Sequence, residues 1–322
     1  MLLADLPVAI VRTYAIALGL FGGSFLNVVI HRVPREMSIA RPPSHCPSCG
    51  KRLRFYDNVP IVSYVVLVGR ARCCGAKISP RYPLVELAGG LLAWAILEVL
   101  VLPQGDVISL GRAAAIFLAY LAFALSLVAV AFIDLEHMYV PDAISIGGTI
   151  AGILTYSLRA DVDLMGALIG ALVGFAVVWL PFSLLYRAIR GCTGMGLGDA
   201  KLVMMAGAWF GWSGAIFALL AGAVQGTLAA IIVLLVHGRI DEPAAVQKER
   251  EEVEQSLAKM SPEERTRAQA ELERDPLYEA SPTGSVGLAR IAFGPFLALA
   301  MLEYMFIGRS IGDYTRWLGL SG

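Results

Sequence analysis

The sequence predicts an all-α polytopic membrane protein of about eight transmembrane helices with a small cytoplasmic cysteine-containing module. Three observations predict it. Of 322 residues, 57% are hydrophobic and 16% charged, and the mean hydropathy is +0.68; soluble domains run at about 45–50% apolar and about 25% charged. Apolar runs near the roughly 20 residues needed to cross a hydrocarbon core recur along the chain. Between them the charge is concentrated, with residues 31–82 and 238–286 holding 17 of the 26 Lys and Arg. The balance of 26 basic against 26 acidic residues excludes a strongly basic nucleic-acid binder, and the hydropathy excludes a disordered chain.

In order, the candidate spans cover 8–30, 83–102, 112–133, 143–158, 163–187, 200–211, 213–237 and 287–308. The run 143–158 is short and contains glycines, and Gly211-Trp212-Ser213-Gly214 demands a turn within a few residues, so seven passes is the alternative count. No basic residue precedes the first run and no small-residue cleavage site follows it, so a removable signal peptide is not expected. Lys and Arg favour short cytoplasmic loops. Eight passes place 31–82, 134–142, 188–199 and 238–286 in the cytoplasm, with ten, zero, one and seven basic residues. The segments 103–111 and 159–162, the turn at 211–213 and both termini then lie outside. The chain thus divides into a first membrane helix (1–30), a cytoplasmic cysteine loop (31–82), a membrane core (83–237), a charged cytoplasmic insertion (238–286), and a last helix with an outer tail (287–322). Within the insertion, Ser261-Pro262-Glu263-Glu264 reads as a capping box with proline in the first turn. Glu and Arg alternate around it, as in a solvated helical pair; a docking surface for a partner is the other reading.

Four of the five cysteines fall in 31–82, as Cys46-Pro47-Ser48-Cys49-Gly50 and Cys73-Cys74-Gly75. In a reducing cytoplasm such thiols are metal ligands more often than disulfides, and a C-x-x-C-G knuckle holds one face of a tetrahedral zinc. The second half is irregular, because a matching knuckle wants Cys at position 71, where Ala71 stands. Either Cys73 supplies the fourth ligand beside Cys46, Cys49 and Cys74, or His45 or water does, or the loop is a metal-free remnant. A bound zinc would be structural, stapling some 50 residues that bury little core. Cys192 reads as a small apolar residue.

Charges inside apolar spans are costly and face a partner or a water-filled cavity. Asp134 closes the third span in Phe132-Ile133-Asp134-Leu135, and Asp199 opens the sixth in Gly196-Leu197-Gly198-Asp199. Both then sit at the cytoplasmic end of their helices, at one depth. Two carboxyl groups so placed suit an aspartic protease dyad: one, ionised, takes a proton from water while the other, protonated, donates to the scissile carbonyl. The alternative is structural, with Asp199 favoured by its helix N-terminus and Asp134 marking a span end. Asp142, after Pro141, reads as a cap. Glu86 lies near the cytoplasmic interface and Glu98 near the outer one. Lys201 neutralises charge nearby or snorkels, and His31 and His137 read as interfacial.

These residues resemble a known family, the bifunctional type IV prepilin peptidases, over nearly the whole chain. Gly23-Ser24-Phe25-Leu26-Asn27-Val28-Val29-Ile30-His31-Arg32 resembles its first-span signature. Cys46-Pro47-Ser48-Cys49 with Ile78-Ser79-Pro80-Arg81-Tyr82-Pro83-Leu84-Val85-Glu86 resembles its cysteine loop. Phe132-Ile133-Asp134 with Pro141-Asp142 resembles its first aspartate motif, Gly196-Leu197-Gly198-Asp199-Ala200-Lys201-Leu202 its G-x-G-D motif, and Phe293-Gly294-Pro295-Phe296-Leu297-Ala298 its last span. Two features depart from the pattern: Ala71 with the additional Cys73, and the length of the 238–286 insertion.

The resemblance implies cleavage of prepilins and pseudopilins at the cytoplasmic face of a bacterial inner membrane, with Asp134 and Asp199 catalytic, in company with pilus or type II secretion assembly machinery. It also implies methylation of the new N-terminus from S-adenosylmethionine, associated with the cysteine loop. Composition does not show that second activity, since no G-x-G-x-x-G after a strand is present. Glu86, Asn27 and Arg81 are its candidate cofactor-binding residues. A competing class, an ion- or proton-coupled transporter, predicts carboxylates nearer the bilayer centre and facing internal repeats, and neither is found. A purely structural assembly platform would leave the aspartate pair unexplained.

Overall fold

The structure is a computed structural model that describes residues 1–190, 195–238, 244–261, 265, 268 and 291–317. Its helices are α1 (Val8–Arg32), α2 (Val62–Val66), α3 (Arg81–Ile96), α4 (Leu110–His137), α5 (Asp142–Leu154), α6 (Leu164–Val178), α7 (Tyr186–Arg190), α8 (Leu197–His237), α9 (Ala244–Lys259) and α10 (Gly294–Trp317). Among the described residues β structure is limited to isolated bridges such as His45 to Arg52 and Arg70 to Lys77. Among the described residues, five helical stretches are long and apolar enough to cross a membrane: Val8–Arg35, Arg81–Gln104, Leu110–His137, Leu164–Leu185 and Leu197–His237. Asp142–Leu154 and Gly294–Gly308 are apolar but shorter.

Helix ends follow local chemistry. Pro83 and Pro295 sit in the first turns of α3 and α10, where a missing N–H costs nothing. α8 stops at Gly238, which takes φ +71° while its N–H bonds the Leu234 carbonyl at 2.8 Å, the left-handed stop that glycine permits. As one rod its 41 residues would span about 60 Å, twice a hydrocarbon core. It is not one rod. Gly211 has φ +73° and ψ −177° inside it, a non-helical break where the sequence expectation of separate runs 200–211 and 213–237 places a turn.

The chain forms two compact units. The first comprises Met1–Val130, Leu154–Asp163 and Met305–Gly322. Here α1 packs on α3 through glycines: a Cβ on Gly19 would lie 2.3 Å from the Gly89 carbonyl oxygen, and one on Gly23 would lie 2.6 Å from the Val85 carbonyl oxygen. Backbones this close are the means by which helices associate where lipid removes the hydrophobic driving force. Glu98 is held by Arg12 through bonds of 2.5 and 2.9 Å, so this membrane-segment carboxylate belongs to a helix-pairing contact.

The second unit comprises Ala131–Ile153 and Leu164–Tyr304. The first half of α8 lies against α6, with Gly207 and Gly170 so close that a Cβ on Gly207 would meet the Gly170 carbonyl at 1.9 Å. Trp209 donates from Nε1 to the Gly148 carbonyl of α5 at 2.8 Å. The second half of α8 lies against α10: Gly222 abuts Leu297, Gly226 abuts Phe296, and the Ser213 and Tyr304 hydroxyls are 3.0 Å apart. Of the charged insertion, α9 is helical as expected; the Ser261 capping box and the rest of the expected pair extend beyond the described residues, as does Cys192.

Candidate functional site

In the second unit, Asp134 lies three residues before the end of α4 and Asp199 in the first turn of α8. Three local features bring them together. Met138 takes a left-handed φ of +52°, ending α4 with its N–H on the Asp134 carbonyl at 2.8 Å; a non-glycine residue there is the kind of strain that collects at sites. Buried Val140 follows, and a Cβ on Gly198 would lie 3.0 Å from its Cβ. The second glycine of G-x-G-D therefore lets the start of α8 settle against the turn that follows Asp134. Gly196, in extended conformation, lies beside the Asp199 carboxyl, whose Oδ2 a Cβ there would meet at 3.6 Å.

The two carboxyl groups line one cavity of ≈ 310 Å³ with Tyr139, Gly196 and Gly198, and they interact electrostatically. Asp134 is buried and Asp199 half-buried. Asp134 Oδ2 accepts the Gly294 N–H at the head of α10, at 2.8 Å. Lys201 also lines the cavity, but its ammonium bonds Asp142 at 2.7 Å. Of the two sequence readings for Lys201, charge neutralisation describes it, with Asp142 as its partner.

In the first unit the cysteine loop forms two like turns. Cys46 donates its N–H to Lys51 and accepts from Gly50; Ala71 donates to Ala76 and accepts from Gly75. Gly50 and Gly75 have φ +69° and +70°. Ala71 therefore occupies the backbone position that Cys46 holds in the first turn, and Cys74 matches Cys49. The missing thiol is replaced from elsewhere, because the sulfurs of Cys46, Cys49, Cys73 and Cys74 all lie within 4.8 Å of one another. Cys49 to Cys73 is 3.4 Å, Cys46 to Cys74 3.7 Å and Cys73 to Cys74 3.9 Å. A tetrahedral zinc with bonds of about 2.3 Å has edges of about 3.8 Å, so the four thiols fit such an ion. His45 is outside this group and its Nδ1 contacts the Pro43 carbonyl at 3.3 Å. Burial pushes the Cys46 thiol up, but the Cys49 and Ser48 amides and the neighbouring thiols outweigh it and bring it down to about 7. Its hydrogen bond with Cys49, with burial behind it, holds Cys73 up at about 12.

Beside the thiols a cavity of ≈ 530 Å³ is lined by the end of α1, the start of α3 and the cysteine loop. Asn27 and Glu86 both line it. Asn27 is 3% exposed and donates to the Tyr82 carbonyl at 3.2 Å, while its Oδ1 is buried with no partner. Glu86 Oε2 accepts the Ile61 N–H at 2.7 Å. Arg81 is not among the lining residues; its guanidinium lies over the Tyr82 ring at 5.6 Å. An acceptor buried without a donor, in a cavity of ligand size that also holds a carboxylate, suits a small polar molecule with a donor to offer.

Sequence reasoning took Gly294 only as part of a motif. Its bond to Asp134 is made by backbone, which has no signature in residue type; the glycine itself is the available signal, since a Cβ there would lie 2.8 Å from Asp134 Oδ2.

Comparison with known proteins matches both halves of the chain. The Bacterial Peptidase A24 N-terminal domain model matches residues 17–99 and the Type IV leader peptidase family model matches residues 121–231. A prepilin leader peptidase/N-methyltransferase from Myxococcus xanthus is 40% identical over 240 residues, covering 72% of this chain and 68% of that protein. Proteins of the same name from Burkholderia pseudomallei and Neisseria gonorrhoeae are 34% and 35% identical, covering 71% and 70% of this chain and 78% and 83% of theirs. No solved structure is significantly similar to the chain. Two family models in chain order, together with relatives matched over more than two thirds of either partner, place this chain in the type IV leader peptidase family.

Proposed function

We infer that the chain is an aspartic endopeptidase that removes the leader peptide of type IV prepilins and methylates the N-terminus it exposes. The observation that carries the peptidase half is the shared cavity of Asp134 and Asp199. A water between them attacks the scissile carbonyl carbon. The ionised aspartate takes the water proton, and the protonated one donates to the carbonyl oxygen. Collapse of the tetrahedral diol breaks the C–N bond, the leaving amine takes a proton, and the pair is left sharing one proton as before. Glycines 196 and 198 leave the rim without side chains, so an extended peptide can reach both carboxyl groups. The carboxylates lie at helix ends, where an enzyme needs them and an ion-coupled transporter does not.

Gly294 positions Asp134. Gly294→Ala puts a methyl group 2.8 Å from Oδ2, so the carboxyl group must turn away. A shift near 1 Å costs about 10²-fold; the expected result is a kcat for prepilin peptide cleavage lower by about that factor with KM little changed.

For methyl transfer, the ≈ 530 Å³ cavity is the proposed site. S-adenosylmethionine supplies an electrophilic methyl group. Glu86 holds the incoming ammonium and takes its proton, and Asn27 Oδ1 accepts a donor from the bound molecules. Arg81, at the start of α3 beside Tyr82, remains a candidate for holding the carboxylate of the bound molecule. Glu86→Gln should lower N-methylation of a processed peptide by about 10²-fold, as loss of a general base does, while cleavage stays within about twofold. Mass measurement of the processed N-terminus separates the two; equal loss of both activities would show that Glu86 serves the fold.

The thiol group is proposed as a structural zinc site in a cytoplasmic module. The break at Gly211 and the shorter apolar helices support a reading of eight passes, and the distribution of Lys and Arg supports an N-terminus that faces outside. On that reading the cysteine loop and the 238–286 insertion face the cytoplasm of a bacterial inner membrane, where pilus or type II secretion pseudopilins and their assembly machinery are the partners.

A further inference from the structure

The turn around α2 carries an apolar surface that neither site uses. Its helix has two faces. Ser63, Tyr64 and Leu67 line the cavity beside the thiols. Val62, Val65 and Val66, spaced as neighbours on a helix surface, point away from it at 56%, 66% and 68% exposed, and Val68 follows at 81%. None belongs to a membrane-length helix. Valines clustered in the open on one short element mark a contact with something apolar.

The element is fixed in its orientation. Ile61 and Val68, which bracket α2, take φ of +61° and +51°, a region that β-branched residues rarely adopt. The Ile61 N–H is held by the Glu86 carboxylate at 2.7 Å, the Ser63 hydroxyl by the Tyr56 carbonyl at 2.9 Å, and the Gly69 N–H by the Tyr64 carbonyl at 2.9 Å. Strain secured by that many bonds serves to present something, and what it presents is valine.

Charge identifies the partner. Residues 31–82 carry ten basic and two acidic residues, and of the two acids Asp57 is taken by Arg72 at 2.8 Å. Arg70, two residues after Val68, is exposed, as are Arg52, Arg54 and Lys77 along the cavity on the other side of α2. Both ends of the segment run directly into helices of membrane length, Val8–Arg35 and Arg81–Gln104, so the surface within reach of the tether is a lipid headgroup layer. A basic module that bears an apolar wedge is what an anionic bilayer binds.

We propose that α2 and its flanking turns dock on the anionic bilayer surface, with Val62, Val65, Val66 and Val68 entering the boundary between headgroups and acyl chains. The docking rests on the reading of α1 and α3 as membrane-crossing helices. It also fixes the roof of the methyl-transfer cavity, since the opposite face of α2 lines it.

The test uses the full chain in nanodiscs containing phosphatidylglycerol, with an environment-sensitive fluorescent amino acid at Val66, at Ser48 or at Phe21 of α1, and spin-labelled lipid as quencher. Val66 should be quenched at least about twofold more than Ser48. That quenching should fall by about half when phosphatidylcholine replaces phosphatidylglycerol or salt is high. Quenching at Phe21 with none at Val66 overturns the docking and leaves the membrane reading standing; no quenching at Phe21 removes both. Quenching at Val66 that appears only with a prepilin peptide assigns the face to substrate and overturns the lipid assignment. The unlabelled chain gives a second readout: amide exchange over 62–69 should slow in anionic relative to neutral nanodiscs, and equal rates overturn the proposal.

Discussion

Asp199→Asn is expected to abolish prepilin cleavage, with a loss of about 10³-fold or more, the scale on which a positioned general acid or base acts and equivalent to about 4 kcal/mol of barrier. Asparagine keeps the shape of the side chain, so the approach of Gly198 to Val140 and the packing of α8 on α6 are untouched. What changes is that one proton can no longer be shared between two carboxyl groups. Asp134→Asn should give a loss of the same order, and the double variant should lose little more than either single one, because groups acting as a unit are not additive. The measurement is cleavage of a prepilin peptide by purified protein in detergent. Methylation of a peptide supplied already processed should persist in both variants, since Asn27 and Glu86 line a different cavity. Full cleavage by Asp199→Asn would remove the assignment of the pair.

The second large effect concerns the thiols. Purified protein should contain about one zinc per chain, and Cys73→Ala should lose it. Structural zinc binds with roughly 10–16 kcal/mol, so one of four thiolates is worth about 3 kcal/mol, or about a hundredfold in affinity. The informative variant is the pair Cys73→Ala with Ala71→Cys. Ala71 has the backbone hydrogen bonds of Cys46, so a thiol there should enter the group and restore the metal. Metal analysis after dialysis against a weak chelator checks both. Retention of zinc by Cys73→Ala would place the fourth ligand elsewhere, and failure of Ala71→Cys to restore it would mean that the likeness of the two turns ends at the backbone.

Much of the site was legible because membrane segments are poor in charge: Asp134 and Asp199 stood out as exceptions at the ends of apolar runs. The break in α8 was legible for a similar reason, since Gly211-Trp212-Ser213-Gly214 interrupts a run too long for one crossing. The thiol group was half legible. Spacing found Cys46 and Cys49, but spacing reads position along the chain, and Cys73 substitutes for residue 71 by position in space. Lys201 has Asp142 as its partner across 59 residues, a pairing that local pattern does not encode. Arg81 is a candidate because it stands where the cysteine loop meets the start of α3, and its guanidinium lies over the Tyr82 ring. The Gly294 bond to Asp134 leaves a trace only in the glycine itself, because every residue but proline offers the same N–H.

The break at Gly211 also bears on how the membrane orientation can be measured. A tag or reporter inserted at 211–214 to learn which side that turn faces would enter a place with no spare chain: a Cβ on Gly170 already falls 2.8 Å from the Gly211 backbone, and Ser213 is bonded to Tyr304. Such an insertion would pry α8 from α6 and α10 before any reporter matured. A silent or inverted signal there would record a broken protein, so sidedness has to be read at another connection.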